Sequence, residues 1–453
     1  MEVEKKLVDY LVQTKFESIP QEPIQTIKNM VLTVLGTTLA GSSSEGCEEM
    51  IAYYSKMGGK NEATVFVHGA KMPAPNTAFV NSVMARSLDF CDAMAPGMHI
   101  GSSLVPAAFA AAELVGGCSG RQFLTALVLG AELSARLNLT ESAYDGFDPT
   151  GVCTVFAATA AVGRILGLNP SQMWNALALA FNRSGGSFQS NIDGSLAVRI
   201  IQGWVSQNSF TCAQFAGAGI TGPLDFLEGI YGYFHLFGRD KIDSEHVTSD
   251  LGKRFELQNM VFKKYPSCGV TQGSTDAILQ LMKEKGLGAA DIREINVHVP
   301  PYAYKLVGHP FRLGITPRVN AQFSIQYCVA SALLRGQSRL QNFDETAIND
   351  PDLMSLMKKI KIAPEPQLDR RGHTALDMEA LTEKGDSYLK KVDISPGFPG
   401  NPLTQEEHLE HYRMCLEYMP QSLPKDNAEK IPALVERMEE LEDIRTVIPH
   451  CLI

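Results

Sequence analysis

The stretch GVCTVFAATAAVGRILGL (residues 151–168) decides the fold class, because alanine and other apolar residues recur in it at helical spacing. It ends in a glycine-containing break, which is a helix C-cap signal. Its apolar residues cover more than one face, which indicates a helix packed on several sides within a bundle. The same pattern occurs on either side of it, at 102–117, 121–137 and 170–186. The chain up to about residue 260 is therefore predicted to be helix after helix.

Strand signals appear only after residue 260. The segment IREINVHVP (292–300) alternates, is rich in β-branched residues and ends at two prolines. Two further strand candidates lie at 356–366 and 386–395, and helices are predicted at 267–286 and 320–336. This middle part of the chain is predicted to form a small α+β domain.

The tail of the chain returns to amphipathic helix. Two such helices are predicted, at 404–420 and 427–443. Thr404 and Glu407 have the spacing of a capping box, in which each side chain accepts from the main chain of the other. His408 and His411 lie on a charged helix and are interpreted as solvated histidines.

The fold class that follows is mainly α, with a large all-helical domain and a smaller α+β domain. The tail is expected to rejoin the first part of the chain. The helical domain is thus predicted to comprise residues 1–262 and 400–453, and the α+β domain residues 263–399. A length of 453 residues agrees with more than one domain, because it exceeds what a single core usually organises.

Composition narrows the choice of partners and compartment. The net charge is −10 and no run of Lys or Arg occurs, so neither nucleic acid nor a membrane is an expected partner. A small anionic substrate remains compatible, since a few local cations decide its binding. The nine cysteines are scattered without a CxxC pair, and the N-terminus lacks the apolar core of a signal peptide. We therefore expect a cytoplasmic protein.

Common cofactor and metal motifs are missing from the sequence. It contains no GxGxxG after a strand, no GxxxxGK[ST], no HExxH and no GxSxG. We therefore expect neither a cofactor nor a metal.

The loop LDFCDAMAPGMHIGSS (88–103) is the first candidate site segment. It places Asp89, Asp92 and His99 within eleven positions, loosened by Pro96 and a glycine. One interpretation is a substrate-binding loop, in which His99 donates to a carboxylate and the aspartates orient His99 or the substrate. The other is structural: the aspartates cap the next helix and His99 is half-buried.

Several blocks of the sequence resemble the MmgE/PrpD family. They lie in order along nearly the whole chain, at 63–93, 98–114, 146–168, 194–204, 265–278, 323–336 and 399–407. For example, LDFCD (88–92) looks like the family's LDFDD, and YPSCGVTQGSTDAI (265–278) looks like its YPSC block. The resemblance implies a cytoplasmic homodimer with a helical domain, a smaller lid-like α+β domain and a cofactor-free site between them.

The departures from the family pattern guide the functional expectation. Positions that the family fills with histidine or lysine hold other residues here, namely Asp148, Val198, Ile201 and Gln272. Dehydration and decarboxylation both need a proton donor, a role suited to histidine. The resemblance is therefore closest to the iminodisuccinate epimerases of the family. We expect a cofactor-independent epimerase that inverts a carbon next to a carboxylate in a dicarboxylate amino-acid derivative.

Two alternatives remain open. One is a lyase, a dehydratase or decarboxylase acting on a 2-methylcitrate- or cis-aconitate-like tricarboxylate. The other is a non-catalytic homologue that has lost its histidines.

An epimerase without a cofactor needs a proton-transfer group on each face of the carbon. Tyr144, in a polar loop, and Lys263, at the junction of the two predicted domains, are the candidate catalytic pair. Tyr144 could instead be a core-capping tyrosine, and Lys263 a solvated linker charge or a carboxylate anchor. Lys264 is an equal rival by sequence, because alternation along an extended segment would point one of the two lysines inward.

The remaining candidates are substrate-binding residues. Arg199 would clamp a carboxylate with two parallel hydrogen bonds, although a surface or dimer salt bridge is the alternative. Gln272 would keep the hydrogen-bonding role of the histidine that the family pattern has there.

Overall fold

The computed structural model describes residues 1–140, 143, 146–314 and 316–453. These residues form two compact units. The helical unit comprises Met1–Ile192, Leu196–Met260 and Cys415–Ile453, and the mixed unit comprises Asp193–Ser195 and Val261–Met414. The mainly α fold class is confirmed. The candidate base Tyr144 lies outside the described residues.

The helical unit is built from helices that the alanine-rich pattern predicts. They are α1 (Glu2–Gln13), α2 (Gln21–Ala40), α3 (Cys47–Met57), α4 (Ala74–Arg86), α5 (Gly101–Leu114), α6 (Gly120–Arg136), α7 (Pro149–Ile165), α8 (Pro170–Phe181), α9 (Gln189–Ile192), α10 (Ala197–Gly217), α11 (Tyr233–Leu236) and α12 (Ser244–Thr248). A two-residue hairpin, β1 (Ala63–Thr64) with β2 (Lys71–Met72), precedes α4.

Small residues set how closely these helices pack. At Gly130 of α6, an added Cβ would lie 2.5 Å from the carbonyl oxygen of Ala157 in α7. This is shorter than any real contact, so the α6–α7 crossing requires glycine. The alanines of α5 and α7 are buried on several faces, as the sequence predicts for central helices.

The mixed unit contains a four-stranded sheet with helices packed on it. Its helices are α13 (Gln272–Lys285), α14 (Pro301–Val307), α15 (Pro317–Gln322), α16 (Ile325–Arg335), α17 (Glu345–Ile348), α18 (Pro351–Met357) and α19 (Gln405–Tyr418). Its strands are β3 (Ile292–Val299), β4 (Ile360–Pro364), β5 (Leu376–Thr382) and β6 (Ser387–Val392). The strand order is β4-β3-β5-β6, with β3 and β4 parallel and the other pairs antiparallel.

Strand β5 is absent from the sequence prediction, and two predicted segments differ from the structure. Residues 356–359 are not part of a strand, because α18 extends to Met357 and β4 begins only at Ile360. The predicted helix 320–336 is two helices, α15 and α16, separated at Phe323 and Ser324, where the Ser324 side chain caps the second.

The tail differs from the prediction in its boundary. Residues 400–414 lie in the mixed unit instead of the helical one. A physical reason is that Glu407 of α19 pairs with Lys264 at 3.1 Å, and the ring of His408 packs edge-on against Phe262 at 4.9 Å. The predicted Thr404–Glu407 capping box is confirmed, with the Thr404 amide donating to Glu407 at 2.8 Å.

The interpretation of the α19 histidines as solvated is wrong. His408 is 4% exposed and His411 is 1% exposed. The charged residues around them in sequence face the other side of the helix.

The last helix, α20 (Lys425–Glu436), belongs to the helical unit as expected of the tail. The buried Lys28 of α2 donates to the carbonyl of Glu436 at 2.6 Å and to Glu439 at 2.9 Å. Among the described residues, no helix is both long and apolar enough to span a bilayer.

Candidate active site

The candidate loop begins at the end of α4, where Arg86 and Asp89 form a buried ion pair. Asp89 has a φ of 50°, a left-handed conformation that aspartate tolerates better than most residues. This turn returns the Asp89 carboxylate to the guanidinium three residues earlier. Although burial disfavours the charge of Arg86, the neighbouring carboxylates and Cys91 raise its pKa, so the arginine stays cationic.

Asp92 supports the next helix with its side chain. Its Oδ2 atom accepts from the amides of Ile100 at 3.1 Å and Gly101 at 2.9 Å, the first residues of α5. These amides lack partners within the helix, and a carboxylate at this end also suits the helix dipole. The structural alternative for Asp92 therefore describes its observed contacts, and its role in substrate binding stays a prediction.

His99 lies at the centre of the polar cluster. Its Nδ1 is 2.7 Å from the carbonyl oxygen of Asp92, which can only accept, so Nδ1 carries the proton. Its Nε2 lies 3.3 Å from Nη2 of Arg86. The His99 amide donates to Thr150 at 3.1 Å, and its carbonyl accepts from Gln202 at 3.3 Å. Four elements thus fix the position of this half-buried imidazole.

The first turn of α7 contributes Asp148 and Thr150. The Asp148 carboxylate accepts from the Thr150 amide at 2.9 Å and so caps the helix. Burial raises the pKa of Asp148, while the capping bonds and nearby Arg86 act in the opposite direction. This residue therefore holds the helix end against which His99 is positioned.

Helix α10 carries Arg199 and Gln202 on one face, since residues three apart on a helix are neighbours. Gln202 contacts the His99 carbonyl, which places Arg199 one turn earlier on the face directed toward the loop. Arg199 is 6% exposed, so it is not a solvated surface charge. Its role as a carboxylate clamp stays a prediction.

In the mixed unit, the two adjacent lysines have different environments. Lys263 is 2% exposed, which contradicts the alternative of a solvated linker charge. Lys264 is partly exposed and pairs with Asp276 and Glu407, each at 3.1 Å. Burial disfavours its charge, but the two carboxylates raise the pKa of Lys264. Lys264 is therefore held protonated in a structural ion pair and is poorly suited to act as a base.

Gln272 organises the YPSC segment from within. Its side-chain oxygen accepts from the Tyr265 amide, and its nitrogen donates to the Tyr265 carbonyl, both at 2.9 Å. The hydroxyl of Tyr265 donates to Asp276 at 2.7 Å. The structure thus gives Gln272 a loop-holding contact, and its predicted contact with substrate stays a prediction.

Sequence reasoning missed four members of the cluster in the helical unit, namely Arg86, Cys91, Thr150 and Gln202. A signal for Arg86 was present, because a cation three residues before Asp89 has the spacing of a local ion pair. No such signal existed for Gln202, which comes from a helix more than 100 residues away.

Comparison with known proteins shows the family. The family model described as MmgE/PrpD N-terminal domain matches residues 5–245, and that described as MmgE/PrpD C-terminal domain matches residues 265–440. The chain belongs to the MmgE/PrpD family.

Curated relatives in this family are enzymes that extend along nearly the whole chain. Human cis-aconitate decarboxylase is 27% identical over 93% of this chain and 88% of its own length. The mouse cis-aconitate decarboxylase is 26% identical over 93% and 87%, respectively. The 2-methylcitrate dehydratase of Cupriavidus necator is 23% identical over 95% and 88%. Membership in the MmgE/PrpD family thus indicates an enzyme, whereas these relatives do not support an isomerase.

The departures from the MmgE/PrpD pattern are all accommodated structurally. Asp148 caps α7, Gln272 holds the YPSC segment, and Val198 and Ile201 are buried on α10. Within the described ranges, no group of three or more His, Cys, Asp or Glu side chains could hold a metal ion. Independence from metals remains a prediction.

Proposed function

We propose that this protein is a lyase that decarboxylates a cis-aconitate-like tricarboxylate. The observation that carries the proposal is the similarity to cis-aconitate decarboxylases over 93% of the chain. This replaces the epimerase expectation as the leading hypothesis. The chemistry of the helical unit supports it, because two buried arginines and an oriented imidazole suit the binding of several carboxylates.

In the proposed reaction, the bond between a carbon atom and one carboxylate breaks and carbon dioxide leaves. The electron pair passes into the neighbouring unsaturated carboxylate, and a proton is then added to carbon. Arg199 and Arg86 stabilise the negative charge that develops on the remaining carboxylates. His99 hydrogen-bonds a carboxylate, and the buried Lys263 supplies the proton to carbon. Tyr144 is the second proposed proton-transfer group.

The epimerase is kept as a second candidate because of one observation. The four positions where the family pattern has histidine or lysine are occupied here by residues with structural contacts or in apolar surroundings. A reaction that only exchanges a proton next to a carboxylate needs fewer acids than loss of hydroxide does. The substrate would then be an iminodisuccinate-like dicarboxylate.

Proton NMR in deuterium oxide separates these possibilities. The purified protein is incubated with cis-aconitate, 2-methylcitrate, citrate or iminodisuccinate. We expect carbon dioxide release from cis-aconitate and a five-carbon unsaturated diacid that contains deuterium. Loss of water from 2-methylcitrate would instead identify a dehydratase, and deuterium exchange without bond cleavage an epimerase. No reaction with any of the four would favour the non-catalytic homologue.

We also propose that the protein is a cytoplasmic homodimer that associates through the exposed face of α10. Trp204 is 50% exposed and Phe215 is 48% exposed on this helix, and Arg199, its only charged residue, is buried. Exposed aromatic side chains without charges are typical of the centre of a protein interface. A second copy of this chain fits such a face, because an uncharged surface can meet itself without like-charge repulsion.

A further inference from the structure

Cys91 lies within the candidate loop and faces His99. Its Sγ is 3.5 Å from Nδ1 of the imidazole, and its side chain is buried. The same Nδ1 is 2.7 Å from the Asp92 carbonyl. The LDFDD block of the family pattern has an aspartate where this chain has Cys91. A thiol therefore stands where a carboxylate would otherwise contact the ring.

We propose that Cys91 is a positioning residue that keeps His99 neutral, with the proton on Nδ1 and Nε2 as an acceptor. A carboxylate at this distance would stabilise the imidazolium, as the aspartate of a catalytic triad does. A thiol gives only a weak, uncharged contact and still fills the space beside the ring. His99 then hydrogen-bonds and orients the substrate in its neutral form.

The other charged groups around the ring support this assignment. They are Arg86 on α4, Asp89 and Asp92 in the loop, Asp148 at the start of α7 and Arg199 on α10. Asp89 pairs with Arg86, whereas the carboxylates of Asp92 and Asp148 cap α5 and α7. The cationic Arg86, which lies 3.3 Å from Nε2, opposes a second positive charge on the ring.

The test is an NMR titration of the full chain labelled with ¹⁵N-histidine, with His99 assigned by loss of its signals in His99→Asn. We expect a neutral ring protonated on Nδ1 at pH 7, and the same spectrum in Cys91→Ser. In Cys91→Asp, the titration midpoint of His99 should rise by about 1–3 pH units, the effect of an adjacent opposite charge. Cys91→Ala should leave the ring as a mixture of both neutral tautomers.

The matched control is Cys212→Ser, which changes a buried thiol on α10 and should leave the His99 spectrum unchanged. An imidazolium at pH 7 in the unaltered protein would overturn the proposal, as would a Cys91→Ala spectrum identical to it. If Cys91→Asp does not fold, the serine and alanine variants decide the outcome.

The inference rests on the proposed function in treating His99 as part of the active site. The titration needs no substrate, so absence of lyase activity would refute the proposed function and leave the assignment of Cys91 standing. Where activity is present, the acidic limb of the kcat/KM profile should shift with the NMR midpoint in Cys91→Asp.

Discussion

At the scale of single residues, the two adjacent lysines of the mixed unit offer the sharpest test of the chemistry. Lys263→Met removes the proposed proton donor and keeps most of the side-chain stem. Turnover should fall by roughly a hundredfold or more, as for loss of a positioned acid. Steady-state kinetics with the substrate found in the deuterium experiment gives the measurement.

Lys264→Met is the matched control for this change. It breaks the ion pairs with Asp276 and Glu407 but leaves the proposed donor in place. Its turnover should stay within severalfold of the unaltered protein, with a stability loss of about 1 kcal/mol or less, since the pair is partly exposed. The opposite ranking of the two variants would assign the chemistry to Lys264.

The residues that the sequence identified and those it missed differ in a physical sense. Asp89, Asp92 and His99 lie in one short segment, so their proximity follows from chain connectivity. Thr150 and Gln202 reach His99 from α7 and α10, and such contacts depend on how helices pack. The sequence also gave no reason to separate Lys263 from Lys264, whereas burial distinguishes them.

At the scale of an element, the start of α5 links helix stability to the position of His99. Asp92→Ala removes the acceptor for two amides of this helix and should cost about 1–2 kcal/mol of unfolding free energy. Activity should also fall at temperatures where the variant is folded, because the same residue's carbonyl orients His99. Thermal unfolding and kinetics measure the two effects.

Ser119→Ala is a suitable comparison, because Ser119 is the exposed cap of α6. It should lower stability by about 1 kcal/mol and leave turnover unchanged. Equal losses of activity in the two variants would show that helix capping alone explains the result for Asp92.

Helix α19 predicts a pH dependence of stability. Burial lowers the pKa of His408 from 6.5 to about 4. The unfolded chain therefore binds a proton that the folded chain excludes, and stability is lost as pH falls from about 6.5 to 4. The loss should approach about 3 kcal/mol for this group. Denaturant unfolding at several pH values should show a flatter dependence in His408→Leu.

The exposed His235 provides the control for this prediction. It is 50% exposed and contacts Asp240, so His235→Gln should keep the full pH dependence. An unchanged slope in His408→Leu would show that His408 is not responsible for the loss.

The elements that could be predicted have strong periodicity, and those that could not are short or interrupted. Helices α5, α6 and α7 were predicted within a few residues, because alanine-rich periodicity persists over many turns. Strand β5 alternates buried and partly buried residues from Leu376 to Thr382, but charged and polar neighbours conceal the pattern. The change from α18 to β4 takes place within three residues, too abruptly for a window of sequence to resolve.

At the scale of the whole molecule, the proposed chemistry depends on side chains of the protein itself. Activity should therefore survive exhaustive dialysis against EDTA. The measurement is turnover before and after chelation, with metal content determined in parallel. Loss of activity that a divalent ion restores would contradict this prediction.

The proposed homodimer can be tested by placing charge on the uncharged face of α10. Trp204→Glu with Phe215→Glu puts two carboxylates on each copy, and the twofold partner presents the same charges. Since like charges in an interface oppose association, this double variant should be a monomer of about half the mass of the unaltered protein. Light scattering after size-exclusion chromatography gives the mass. Leu389→Glu, at an exposed leucine of β6, should leave the mass unchanged, and a double variant that remained dimeric would place the interface elsewhere.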